Sequence, residues 1–125
     1  METLLELGYV TISYVPEKNC IVQTWNKFCT TDEYKHGQEK CLEFIIANGC
    51  KGLVSDTTNA GLLKEDALKW AAEILIPNLM KVGVNHVEVV LPQSSFTKMT
   101  LMNLEKDVAG YMRYYGSVES ALAIF

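Results

Sequence analysis

The chain has 125 residues, of which 49% are apolar and 21% charged, and its formal net charge is -4. This size and balance fit a single domain, residues 1–125, with a real core, and argue against disorder. An acidic chain without a lysine–arginine stripe argues against nucleic-acid binding, and no run of about 18 apolar residues exists to span a membrane.

The first residues, Met1-Glu2-Thr3-Leu4-Leu5-Glu6, carry acids where a secretory signal needs bases. The expectation is a cytoplasmic protein. Tyr9 to Val15, rich in β-branched and aromatic residues, reads as the first strand. Pro16-Glu17-Lys18-Asn19 is turn chemistry, because proline presets φ and asparagine tolerates the left-handed region. Cys20 to Trp25 then reads as a second strand, pairing with the first as an antiparallel hairpin.

Thr30-Thr31-Asp32-Glu33 has capping-box spacing, and the helix behind it runs to Asn48, where Gly49 suits a left-handed stop. Tyr34, Cys41, Leu42 and Ile45 share one side of that helix. Gly37 lies near the same side and allows close packing against a sheet. Gly52 to Asp56 is a third strand, apolar enough to be central. A second helix spans Lys64 to Val82, with Ala67, Trp70, Ala71, Ile74 and Val82 as its inner stripe. Pro77 lacks an amide donor and crowds the Glu73 carbonyl, so a kink is expected there. A strand over His86–Leu91, a helix over Phe96–Val108, a strand over Met112–Tyr115 and a helix from Val118 to about Ile124 complete the chain. The expected fold is α/β, in the order β-β-α-β-α-β-α-β-α, with a mixed, mostly parallel five-stranded sheet and about four helices.

The four cysteines, Cys20, Cys29, Cys41 and Cys50, form no C-x-x-C pair, and the two histidines, His36 and His86, stand apart from them. Neither a metal site nor a disulfide follows from such spacing, and no cofactor motif is present. The cysteines read as reduced and packed.

Parallel strands gather their carboxyl-end loops on one edge, where open α/β sheets place their sites. Those loops contribute Trp25, Asn26 and Lys27; Asp56, Thr57, Thr58 and Asn59; Gln93, Ser94 and Ser95; and Gly116 with Ser117. The binding candidates are Trp25, Asp56, Thr57, Thr58, Asn59, Ser94, Ser95 and Ser117. This edge offers many neutral hydrogen-bonding groups and few charges, which suits a small polar ligand, a phosphorylated hydroxyl or a protein partner. Serine, threonine, asparagine and aspartate are also the ordinary helix caps and turn formers. Trp25, Phe28 and Trp70 read first as packing. Tyr111, Tyr114 and Tyr115 are denser than packing needs, and a self-association face giving a homodimer is expected from them.

A nucleophile needs a base within reach and a group to orient that base. Neither histidine lies near the loop cluster, so no catalytic residue is assigned and the chain reads as non-enzymatic. Asp56 at the end of a third strand also raises the receiver domains of response regulators. Those domains need an acidic pair after the first strand and a lysine after the last. Here the corresponding ends are Tyr14-Val15-Pro16 and Tyr114-Tyr115-Gly116, and that reading is set aside.

From Tyr9 to Phe125 the chain resembles small bacterial STAS/SEC14-like proteins with the SpoIIAA-like fold of anti-sigma factor antagonists. The likeness rests on Trp25-x-x-Phe28, Leu53-Val54-Ser55-Asp56, and Glu65-Asp66-x3-Trp70 with Pro77 and Gly83. The Val87-to-Pro92 strand, Phe96-x-x-Met99 and Tyr115-Gly116-Ser117-x-Glu119-x-Ala121-Leu122 continue it. It implies one STAS/SpoIIAA-like domain acting as a regulatory or protein-interaction module. The implied partner is a kinase or an anti-sigma-like regulator, and the implied phosphoacceptors are Thr57 and Thr58. Where STAS domains carry Asp-Ser-Ser-Gly at the helix start, this chain has Gly61-Leu62-Leu63-Lys64-Glu65-Asp66. The SEC14 side of the likeness implies an alternative, a small-molecule or lipid-binding protein. Its apolar groove would lie beside the Pro77 kink, lined by Trp70 and methionine side chains, while Met99 and Met102, near one another at helical spacing, read first as packing.

Overall fold

The amino-terminal strands form an antiparallel meander of β1 (Glu2–Leu7), β2 (Val10–Val15) and β3 (Cys20–Trp25). The computed structural model describes residues 1–61, 63–92 and 110–125. The helix expected over 96–108, with Gln93, Ser94, Ser95, Met99 and Met102, lies outside the described residues. The β2–β3 connection is a 3-10 turn over Pro16–Lys18, closed by Asn19 at φ 52°. The predicted proline and asparagine roles are both met there.

α1 (Thr31–Asn48) begins on the predicted capping box: Thr30 Oγ1 accepts from the Glu33 amide, and the Glu33 carboxylate accepts from the Thr30 amide. It ends on Gly49 at φ 61°. Tyr34, Cys41 and Ile45 are buried as predicted, and Leu42 is half-buried. A Cβ on Gly37 would stand 3.0 Å from the Trp25 ring and 3.1 Å from Val10, so this glycine does permit a close helix–sheet approach.

β4 (Gly52–Asp56), β5 (Val87–Val90) and β6 (Met112–Tyr115) then add in parallel beyond β3, and the sheet order is β1-β2-β3-β4-β5-β6. Right-handed crossovers that always step the same way put their helices on the same face. α1 and the helical stretch between β4 and β5 accordingly share the larger core cluster, with Ile21, Leu53 and Val87 from the sheet. A short carboxyl-terminal helix, α4 (Val118–Leu122), crosses the other face. Ala121, Val118 and Leu122 pack there on Val15, Cys20, Val22, Val54 and Val90.

Two expectations need correction. Among the described residues the sheet has six strands, because β1 joins as an edge strand ahead of the expected first one. The stretch between β4 and β5 is α2 (Glu65–Trp70), a π-helical turn over Ala71–Leu75, and α3 (Ile76–Lys81). Within it the Ile76 amide donates to the Ala71 carbonyl, five residues back. Proline cannot donate to the Glu73 carbonyl, and the wider turn accommodates its ring. A π turn inserts one residue into the helical register. The inner stripe therefore runs Ala67, Ala71, Leu75, Leu79, while Ile74, expected inside, is 48% exposed. Gly83 still terminates the stretch, at φ 98°.

Candidate functional site

Because β3, β4, β5 and β6 run parallel, Trp25, Asp56, Val90 and Tyr115 end at a common edge. The Asp56–Asn59 segment turns over this edge. Asp56 Oδ1 accepts from the Thr58 amide at 3.1 Å and from the Thr58 hydroxyl at 2.6 Å, which is an aspartate-stabilised turn. Thr57 points inward; it is 6% exposed, and its hydroxyl donates to the Val90 carbonyl at 2.5 Å. Asn59 is exposed. Ser117 caps α4, accepting from the Ser120 amide at 3.2 Å. The structure thus brings Asp56, Thr58, Asn59 and Ser117 to the expected edge. Of the two threonines, Thr58 is the accessible one.

Trp25 is a core residue, 3% exposed. Its ring stacks on Tyr34 with centroids 5.2 Å apart, and Tyr34 meets Trp70 edge-on at 6.1 Å. Phe28, expected to pack, is 52% exposed.

Beneath the edge, between the sheet and the helices, lies a polar cluster missed in the sequence. Gln23 Oε1 accepts from Trp25 Nε1 at 3.0 Å, Ser55 Oγ at 2.9 Å and Gln38 Nε2 at 3.2 Å. Gln23 Nε2 returns a bond to Gln38 Oε1 at 2.9 Å. All four residues are buried. They border a cavity of about 50 Å³ whose other walls include Leu53, Leu75, Leu79, Val89 and Met112. Leu75 and Leu79 flank Pro77, so an apolar space does lie beside it, although Trp70 is not among its walls. The available signal was Gln23 and Ser55 on the helix-covered face of neighbouring strands, with Gln38 on the inner side of α1.

A second cluster lies on the α4 face. Glu88 of β5 is fully buried and faces Arg113, its register partner on β6. Arg113 grips it with two bonds, Nε to Oε2 at 3.2 Å and Nη2 to Oε1 at 2.7 Å. His86 Nδ1 meets the same Oε1. The carboxylate raises the guanidinium pKa further, and partial burial together with this carboxylate raises that of the Tyr115 phenol. His86 stands at the opposite end of β5 from the Asp56 loop, as expected.

All four cysteines are free and buried. Burial pushes the Cys41 thiol to about 12 and the Cys20 and Cys29 thiols to about 11, against an ordinary 9.0. The folded chain therefore holds protons that the unfolded chain sheds above pH 9. Stability should be complete below pH 9 and fall as pH rises toward 11–12, by about 1.4 kcal/mol per pH unit for each thiol ionised only in the unfolded state. Urea unfolding at pH 8, 9 and 10.5 checks this. A flat profile, or rapid reaction of native thiols with Ellman's reagent at pH 8, would contradict it.

No known protein-family model matches this chain, and no curated protein matches its sequence.

Proposed function

We propose that the chain is a STAS-like, SpoIIAA-like regulatory module of the cytoplasm. It acts without catalysis and recognises a protein partner at the edge formed by the carboxyl ends of its parallel strands. The observation that carries this reading is the joint placement of Asp56, Thr58, Asn59 and Ser117 at that edge. Parallel strands added in chain order, with α1 and the α2–α3 stretch on one face, support the likeness to that fold. Both histidines stand away from the edge, His36 exposed on α1 and His86 held by Glu88. The partner is a kinase or an anti-sigma-like regulator, and Thr58 is the phosphoacceptor better placed for access.

The test compares wild type with Thr58→Ala and Asn59→Lys in cross-linked capture from native lysate. Loss of about tenfold or more of one partner in both variants, with unchanged melting temperature, is the expected result. Equal capture by all three proteins would remove the edge from the function.

The cavity supports a second reading, a small-molecule binding protein. About 50 Å³ is room for a few waters at roughly 10–15 Å³ each. It does not hold a lipid chain.

A further inference from the structure

Among the described residues, the layer formed by α1 and the α2–α3 stretch leaves large apolar side chains in solvent. Ile46 is 59% exposed and Ile74 is 48% exposed. Pro77 is exposed as well, while Leu42 and Trp70 are half-buried. A single exposed apolar residue is ordinary, so their arrangement decides.

α1 follows β3 and the α2–α3 stretch follows β4, so both run back along one face of the sheet in the same direction. Their first turns meet, with the Thr31 hydroxyl donating to Asp66 Oδ1 at 2.8 Å. One turn on, the Lys35 ammonium lies over the Trp70 ring, 5.9 Å from its centroid. Lys35, Leu42 and Ile46 are spaced i, i+7 and i+11, so they share the flank of α1 that faces α2. Trp70 and Ile74 share the flank that faces α1. The π turn brings Ile74 there, because its extra residue keeps Leu75 on the sheet side. An apolar groove thus runs between two parallel helices. Leu42 and Ile46 form one wall; Trp70 and Ile74 form the other, which Pro77 continues.

The charges beside this groove divide by helix. The outward ridge of α1 carries Glu39 and Glu43, both exposed. Glu43 also meets Lys40 at 3.3 Å, an exposed pair of little worth. The outward ridge of α2–α3 carries Lys69 and Lys81, with Glu73 between them. A two-fold interface must complement itself, since the same patch supplies both sides. A rotation axis parallel to the helices sets α1 of one copy over α2–α3 of the other. Acidic ridge then meets basic ridge twice, around an apolar centre, which is the usual anatomy of an interface. An axis across the helices would instead bring Glu39 and Glu43 against their own copies.

We infer that a second copy of this chain covers the groove, in a two-fold dimer with α1 of each copy over α2–α3 of the other. Self-association was expected from Tyr111, Tyr114 and Tyr115, but Tyr111 is buried and the other two are half-buried. The carboxyl-end edge lies outside this interface, so the dimer and the partner reading above stand or fall separately.

Sedimentation velocity of the full chain at pH 7 and low salt, from about 5 to about 300 μM, reads the dimer directly. Wild type should pass from monomer to dimer across that range. Ile46→Glu with Ile74→Glu should weaken association about tenfold or more. The melting temperature of the dilute protein should not change, because both side chains are exposed. Two charge variants test the arrangement. Glu39→Lys with Glu43→Lys, and Lys69→Glu with Lys81→Glu, should each be monomeric alone, since like ridges then face one another. Mixed in equal amounts, the two should form a heterodimer, which also shows that both are folded. Wild type that stays monomeric at the highest concentration would overturn the inference, as would a dimer untouched by the two isoleucine substitutions. A dimer that both charge variants leave intact would overturn the placement of α1 over α2–α3. A mixture that stays monomeric, from variants with wild-type circular dichroism, would overturn it too.

Discussion

Arg113→Met should cost about 3 kcal/mol of folding stability, and adding Glu88→Leu to it should recover most of that loss. Removing one partner of a buried ion pair strands the other, at about 3–5 kcal/mol, whereas replacing both with apolar residues is often neutral or stabilising. Glu88 is 0% exposed and Arg113 is 40% exposed. Water therefore screens the arginine end, which places the cost at the low end of that range. His86 Nδ1 remains on Glu88 Oε1 after the substitution and offsets a further part. Urea unfolding of the two single variants and the double at pH 7 would measure the cycle. A cost below about 1 kcal/mol for Arg113→Met would mean that the carboxylate is neutral or reaches water.

The location of this pair explains why its effect should be large. β5 lies between β4 and β6 in the parallel part of the sheet. Such strands are normally continuous apolar runs, because both faces are covered. Val87, Val89 and Val90 follow that rule and Glu88 breaks it. The break is compensated across the β5–β6 ladder by the residue in direct register. The ion pair thus favours one alignment of β6, since a slip by one residue would turn Arg113 to the other face.

Local signals were enough for much of the architecture. Thr30, Glu33 and Gly49 marked α1 at both ends because capping is a matter of a few neighbouring atoms. Cys20–Trp25, Gly52–Asp56 and Met112–Tyr115 stood where β-branched and aromatic runs placed them. β1 was not legible, because Glu-Thr-Leu-Leu-Glu-Leu suits a helix as well as a strand. Its conformation is decided by the open edge of β2. The stripe at Ile74 was misread for a related reason: an α-helical period assumes a constant register, and the π turn adds a residue. The site divided along the same line. Asp56, Thr58 and Ser117 were visible as an edge because parallel strands imply one. The Gln23–Ser55–Gln38 cluster and the Glu88–Arg113 pair depend on which strands become neighbours, and the chain states that only once folded.

Gln23→Leu should destabilise the fold by roughly 3 kcal/mol and alter the environment of Trp25. The substitution removes the one oxygen that receives the Trp25 indole, the Ser55 hydroxyl and the Gln38 amide. A buried donor left without an acceptor costs about 1–3 kcal/mol. Ser55 can turn toward the cavity, so the loss falls short of three such penalties. The Trp25 indole cannot turn freely, because its ring is stacked on Tyr34 and lies against Gly37. A changed near-ultraviolet circular dichroism signal should therefore accompany the lower urea midpoint. The triple variant Gln23→Leu, Gln38→Leu, Ser55→Ala should recover much of the stability, since it leaves Trp25 as the only orphaned donor of the three. It should not recover the packing of α1. Gln38 and Gln23 exchange two bonds between that helix and β3, and a reciprocal amide pair tolerates no sliding, whereas leucine against leucine does. A triple variant as stable as wild type, with unchanged near-ultraviolet signal and sharp amide resonances along α1, would show that apolar packing alone sets the helix on the sheet.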